Sequence, residues 1–148
     1  MKPRVMPTTY FLVLLASSIV LRLLIPGSGN MPEPYNYSGV VFILVGIALN
    51  LWADRIFKVR GTTVKPHERP STLITTGPFG ISRHPMYLGM ALILLGTMLF
   101  IDPFISILSA AIFVAAMETS FIPMERRNLE KEFGNTYSEY GKKTRRWI

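Results

Sequence analysis

The chain has 148 residues, of which 49% are hydrophobic, with a net charge of +7 and a mean hydropathy of +0.33. This composition predicts a small integral membrane protein of the all-α class. The absence of cysteine excludes a disulfide framework and a thiolate metal site, and two histidines cannot form a multi-histidine site, so we expect no metal centre.

Four apolar segments follow one another and are predicted to be membrane helices, at about residues 7–25, 39–57, 86–101 and 104–122. A helix needs roughly 20 residues to cross about 30 Å of hydrocarbon, so the third segment is short and the others are adequate. The first lacks a small-residue cleavage site and is expected to be a retained helix. Only Asp102-Pro103 joins the third and fourth, which predicts a tight helical hairpin.

The basic residues predict the orientation of these helices. Apart from Arg22 within the first segment, all Lys and Arg lie in the N-terminus, from Arg55 at the end of the second segment through the loop that follows it, and in the tail. The positive-inside rule then places both termini in the cytosol. We interpret the basic charge as a topology determinant and a contact with anionic lipid headgroups, which makes nucleic acid an improbable partner.

A basic turn that contains a histidine precedes the third segment, at residues 77–89. Pro85 suits the first turn of a helix, where its missing N–H is no loss. Arg83, His84 and Tyr87 are therefore predicted at the mouth of a membrane helix. The turn indicates polar chemistry held at the membrane surface.

The tail, residues 124–148, is polar and is predicted to form two short cytosolic helices separated at Gly134. Tyr137, Tyr140 and Trp147 lie among Lys and Arg in this segment. An aromatic and basic segment of this kind either anchors at the membrane interface or folds back as a lid over the turn, and the sequence leaves both open.

Several motifs follow one another in order along the chain. They read Gly-Thr-Thr-Val-Lys-Pro at 61–66, Leu-Ile-Thr-Thr-Gly-Pro at 73–78, Ser-Arg-His-Pro-Met-Tyr-Leu-Gly at 82–89, Glu-Arg-Arg-Asn-Leu at 125–129, Phe-Gly-x-x-Tyr-x-x-Tyr at 133–140 and Arg-Arg at 145–146. Through them, residues 39–148 resemble the isoprenylcysteine carboxyl methyltransferase family and its bacterial and archaeal relatives, which also resemble the phospholipid N-methyltransferases.

This resemblance implies a methyltransferase that depends on S-adenosylmethionine and forms a single domain over residues 1–148, with the cofactor enclosed by about residues 61–148. A lipophilic acceptor, whether a carboxylate, a thiol or an amine, would enter from the membrane. The implied cofactor contacts are Gly77, His84, Pro85, Tyr87, Leu88, Glu125, Tyr137 and Tyr140. The implied catalytic residues are Arg83, Glu118 and Glu125.

The chemistry of the residues allows this assignment independently. No Gly-rich dinucleotide fingerprint follows a predicted strand, which excludes a soluble Rossmann-type methyltransferase. A helix N-terminus with Arg83 and His84 suits the carboxylate of the cofactor, a carboxylate such as Glu125 suits its cationic groups, and tyrosine faces suit the sulfonium and adenine. We also expect the apolar walls of the second and fourth segments, which include Trp52 and Ala116, to face the acceptor.

The sequence departs from the family where many members have two adjacent acids, because here Arg126 follows Glu125. Glu118 is a candidate replacement, since it lies two helical turns before Glu125 on roughly the same face, although Pro123 is expected to kink the helix between them.

Two alternative functions remain open from the sequence. Glu118 could be the intramembrane carboxylate of a small four-helix transporter of hydrophobic cations. A transporter should concentrate its polar residues near the bilayer midplane, whereas here they gather in the turn and the tail. The Glu125-Arg126 departure also leaves open a family member that binds lipid or cofactor without turnover.

Overall fold

The computed structural model describes residues 6–25, 32–62 and 71–148, with the backbone alone described at residues 98, 100, 101 and 106. Helices make up the regular structure of these ranges, which confirms the predicted all-α class. They are α1 (Pro7–Leu24), α2 (Ser38–Arg60), α3 (Pro78–Ile81), α4 (Pro85–Ile101), α5 (Pro103–Ala116) and α6 (Ile122–Lys143). A 3₁₀ turn, Tyr35–Tyr37, precedes α2, and a π-helical turn, Met117–Phe121, joins α5 to α6.

Three helical runs are long and apolar enough to cross a membrane: Pro7–Leu24, Tyr35–Arg60 and Pro103–Lys143. Their outward-facing apolar side chains are exposed, as in Leu23, which is 76% exposed. Such a continuous apolar surface is unfavourable in water and suits a lipid environment. Helix α4 is shorter, with the 17 residues Pro85–Ile101, as the sequence predicted for the third segment. The protein is therefore an integral membrane protein.

Helix α4 lies at the centre of the bundle and packs against α2, α5 and α1. The backbones of α2 and α4 approach closely at Gly46 and Gly89, where a Cβ atom added to Gly46 would lie 2.5 Å from the carbonyl oxygen of Gly89. Small residues permit such close packing in membrane helices. On the other side of α4, Leu94, Phe113 and Met117 form a fully buried core.

The predicted hairpin between α4 and α5 is confirmed. Asp102 is extended and only 1% exposed, and its Oδ1 accepts hydrogen bonds from the backbone N–H groups of Phe104 and Ile105 at 2.9 and 3.1 Å. Asp102 thus caps the N-terminus of α5, while Pro103 occupies a first-turn position where no N–H is needed.

The helix that contains the fourth apolar segment does not end near residue 122. It continues through the π turn into α6, which ends at Lys143. In the π turn the backbone N–H of Ile122 donates to the carbonyl oxygen of Met117, five residues earlier. Pro123 follows and has no N–H to donate to the preceding turn, so the regular α pattern cannot run through unchanged. Gly134, with φ 50° and ψ −121°, interrupts α6 at the position that the sequence predicted.

Candidate active site

The turn before α4 is held against α2 by a close glycine contact and an apolar cluster. Gly77 has φ 65°, and a Cβ atom there would lie 2.6 Å from the side chain of Ile56. The backbone conformation therefore requires glycine, and the contact shows how closely the turn packs on α2. The short helix α3 then buries Phe79 against Ala53 and Ile74, which anchors the turn to the end of α2.

The tail folds back onto this turn. The backbone N–H of Arg83 donates to the carbonyl oxygen of Arg145 at 3.1 Å, and the Ser82 hydroxyl donates to the carbonyl oxygen of Arg146 at 3.2 Å. The Tyr140 hydroxyl donates to the carbonyl oxygen of Phe79. Of the two alternatives for the tail, the structure therefore has the one in which it covers the turn.

Three polar side chains meet at the mouth of α4. His84 is 5% exposed, its Nδ1 lies 3.3 Å from Oε2 of Glu125, and its ring stacks on that of Tyr87 with a centroid distance of 5.5 Å and an interplanar angle of 10°. Glu125 also accepts a hydrogen bond from the Tyr87 hydroxyl. The carboxylate on α6 thus links to the first turn of α4.

Arg83 and Glu125 each present a buried atom to this region without a hydrogen-bond partner among the described residues, namely Nε of Arg83 and Oε2 of Glu125. The guanidinium of Arg83 contacts the hydroxyl of Tyr137. Burial raises the pKa of Tyr137 above its usual value, and the neighbouring Arg83 opposes that rise. Tyr137 is therefore a neutral hydrogen-bonding partner of Arg83 at neutral pH.

A cleft of about 290 Å³ opens at these groups. One side is polar and the other is apolar, with Phe57 of α2 packed edge to face against Phe79 of α3 at 5.2 Å. The cleft is lined by Phe57, Phe79, Arg83, His84, Pro85, Met86, Tyr87 and Glu125. It brings opposite charges, an imidazole and an apolar wall to one place.

The predicted site residues fall into two groups. Those that line the cleft are Arg83, His84, Pro85, Tyr87 and Glu125. The others lie outside the cleft lining: Gly77 packs on α2, half-buried Leu88 bonds through its backbone to His84, and Tyr137 and Tyr140 lie in the tail that covers the turn.

Glu118 does not share the cleft with Glu125. Its carboxylate accepts hydrogen bonds from Nη1 of Arg146 and Nε1 of Trp147, each at 2.7 Å. Glu118 and Glu125 were expected on the same helix face because seven residues make about two turns of a regular α-helix. The π turn Met117–Phe121 has more residues per turn, so it rotates the two side chains onto different faces.

The residues expected to face the acceptor, which include Trp52 and Ala116, do not line this cleft. Ala116 packs against the core that contains Phe113 and does not line the cleft, because α4 lies between α2 and α5. The apolar wall consists instead of Phe57, Phe79 and Met86.

The sequence reasoning missed this wall and the role of Ser82. Phe57 is one apolar residue among many in its segment, so no pattern distinguishes it. Ser82 precedes the Arg-His-Pro motif, and its hydroxyl both accepts from the backbone N–H of His84 at 3.2 Å and donates to the tail. A side chain that bonds two residues ahead is typical of turns, which is the signal that was available.

Comparison with known proteins now identifies the family. The profile of the phospholipid methyltransferase family matches residues 35–136, which include the cleft and both elements that carry its polar groups. The chain therefore belongs to this family, which indicates a methyltransferase that acts on lipid-like substrates. It is also 36% identical over 63 residues to an uncharacterized protein of Haemophilus influenzae, covering 43% of this chain and 100% of that one. No solved structure matches.

Proposed function

We propose that the protein transfers a methyl group from S-adenosylmethionine to a lipid-like acceptor at the cytosolic face of the membrane. The observation that carries the proposal is the convergence of Arg83, His84 and Glu125 on one cleft in a member of a methyltransferase family. Arg83 Nε is buried there without a hydrogen-bond partner, and Glu125 Oε2 makes no hydrogen bond and lies 3.3 Å from His84 Nδ1. Leaving such groups without partners is unfavourable, so a ligand that supplies the opposite charges is expected to bind there.

The chemistry of S-adenosylmethionine fits this donor and acceptor set. Its carboxylate complements Arg83, its ammonium complements Glu125, and the ring faces of Tyr87 and His84 suit its sulfonium. The cleft is open to its surroundings, and its lining combines these charged groups with apolar side chains. When bound, this cofactor supplies a methyl group activated by a positively charged sulfur.

The chain's own groups would align the acceptor and exclude water. Methyl transfer requires the attacking atom in line with the bond that breaks, so most of the rate enhancement would come from positioning. The apolar wall of Phe57, Phe79 and Met86 can hold a lipid chain. A carboxylate acceptor needs no base, whereas a thiol or an amine must lose a proton, which His84 or Glu125 could accept.

The distribution of polar groups supports this function over a transporter. The charged residues that line the cleft lie before α4 and in α6, at one end of the apolar helices. Transport of a cation would require ionisable groups deeper within the spans.

The proposal is tested by calorimetric titration of the detergent-solubilised protein with S-adenosylmethionine and with S-adenosylhomocysteine. We expect both to bind, and His84→Ala and Glu125→Gln each to weaken binding by about tenfold or more, which is about 1.4 kcal/mol. Glu130→Gln is the matched control, because Glu130 lies on the same helix but forms an exposed ion pair with Arg126. Parental affinity in both cleft variants would contradict this placement of the cofactor.

The acceptor class is tested separately in proteoliposomes with a methyl-labelled donor. We expect label in the lipid fraction and its loss in Glu125→Gln. Label found only in water-soluble products would contradict a lipid-like acceptor.

A further inference from the structure

The last residues of the chain form a strap across the turn that precedes α4. We call residues 144–148 the C-terminal strap. Thr144 is buried, and the backbone carbonyls of Arg145 and Arg146 accept hydrogen bonds from the Arg83 N–H and the Ser82 hydroxyl. The strap thus pairs directly with the two residues that precede His84.

Glu118 also holds the strap, through the side chains of Arg146 and Trp147. Its two carboxylate oxygens accept from different residues, Oε2 from Arg146 and Oε1 from Trp147. Trp147 in turn packs against the core cluster that contains Tyr87 and Met117. Hydrogen bonds to an ionised carboxylate are stronger than those between neutral groups, and two together define one orientation.

The position of Glu118 separates this role from the transfer chemistry. Glu118 does not line the cleft, and both of its oxygens are engaged by the strap. It also lies in the π turn of Met117–Phe121, and π turns frequently occur at functional sites.

We propose that Glu118 is a positioning residue, which holds the C-terminal strap on the Ser82–His84 turn and thereby aims Arg83 and His84 into the cleft. This rests on the proposed function for its effect on cofactor binding and turnover, whereas the strap contact itself can be tested without either. Glu118 therefore acts through the turn rather than on the reacting atoms.

A single cysteine reports on the strap, since the chain contains none. Thr144 is 7% exposed, so a Thr144→Cys side chain is expected to react slowly with a maleimide in detergent.

Glu118→Ala in this background should raise the labelling rate about tenfold, because two charge-assisted hydrogen bonds are lost. Glu118→Gln keeps an acceptor for Trp147 and should raise it less. Glu130→Gln, which removes an exposed ion pair on α6, is the control and should leave the rate unchanged. An unchanged rate in Glu118→Ala would overturn the proposal whether or not the protein binds cofactor.

The functional part is tested by a double-mutant cycle. Glu118→Ala and Arg146→Gln should each raise KM for S-adenosylmethionine by about tenfold with a smaller change in kcat, and the double variant should be no worse than the single ones. This non-additivity is expected because both changes release the same strap. A fall in kcat in Glu118→Ala alone, with unchanged KM and a slowly labelled Thr144→Cys, would instead identify Glu118 as a catalytic residue and overturn the proposal.

Discussion

Replacing Gly89 by alanine should separate helices α2 and α4 and disturb the cleft. A Cβ atom at Gly89 would lie 2.7 Å from the backbone carbonyl oxygen of Gly46 and still closer to the side-chain amide of Asn50. The helices must move apart by about 0.7 Å to restore an ordinary contact of 3.4 Å. Overpacking of this kind costs about 1–3 kcal/mol, whereas alanine gains about 1 kcal/mol over glycine in a helix interior. We therefore expect a net loss of up to about 2 kcal/mol.

The effect on turnover should be larger than the effect on stability. Gly89 lies five residues after His84 and two after Tyr87, so a shift of α4 moves the polar side of the cleft relative to Phe57 on α2. A misplacement of about 1 Å can reduce a rate by about 10²-fold, so a shift of this size is expected to reduce methyl transfer by at least about tenfold.

The assay pairs denaturant titration in detergent with methyl-transfer kinetics. Gly80→Ala is the control, because a Cβ atom there would meet its nearest neighbour, the carbonyl oxygen of Thr75, at an ordinary 3.6 Å. Adding Asn50→Ala to Gly89→Ala should not restore stability, since the carbonyl of Gly46 remains in place. Full recovery in that double variant, or parental stability and activity in Gly89→Ala, would refute the reasoning.

Two further predictions concern the tail and the hairpin. Burial raises the pKa of Tyr140 above its usual value of 10.0, so the folded protein keeps the phenol proton that the unfolded chain loses above about pH 10. Stability should therefore fall as the pH rises above 10, and Tyr140→Phe should show a shallower fall, although at pH 8 it should be about 1 kcal/mol less stable through loss of its hydrogen bond to Phe79. An equal slope in thermal unfolding of both proteins would contradict this. Asp102→Ala should lower the free energy of unfolding by about 1–2 kcal/mol because two N–H groups of α5 lose their cap, whereas Asp102→Asn should retain most of it. Equal destabilisation by both changes in a denaturant titration would contradict the capping role.

The sequence predicted the parts of this molecule that depend on local chemistry. Hydropathy located the apolar helices, and the two-residue Asp102-Pro103 connection identified the hairpin. Glycine's conformational freedom identified the break at Gly134. The motif around His84 identified the mouth of α4, where the structure brings His84 and Glu125 together.

The parts that the sequence could not predict depend on which helices are neighbours. The apolar wall of the cleft combines Phe57 from the second segment with Met86 from the start of the third, whereas Ala116 of the fourth segment packs in the core because α4 lies between α2 and α5. Apolar residues on a membrane helix do not distinguish a protein-facing position from a lipid-facing one by hydropathy alone. The pairing of the strap with the turn uses the backbone carbonyls of Arg145 and Arg146, which carry no sequence pattern.

The π turn at Met117–Phe121 amounts to one inserted residue in an otherwise regular helix. Removing one residue from it would turn everything on one side by about 100° relative to the other, because an α-helix has 3.6 residues per turn. In a relative with one residue fewer in this stretch, the residues equivalent to Glu118 and Glu125 would differ from this pair in their relative direction around the helix axis. A sequence alignment that puts this one-residue gap outside the π turn would pair residues that have different surroundings. The length of the turn is therefore a better guide to equivalent positions than the identity of the apolar residues around it.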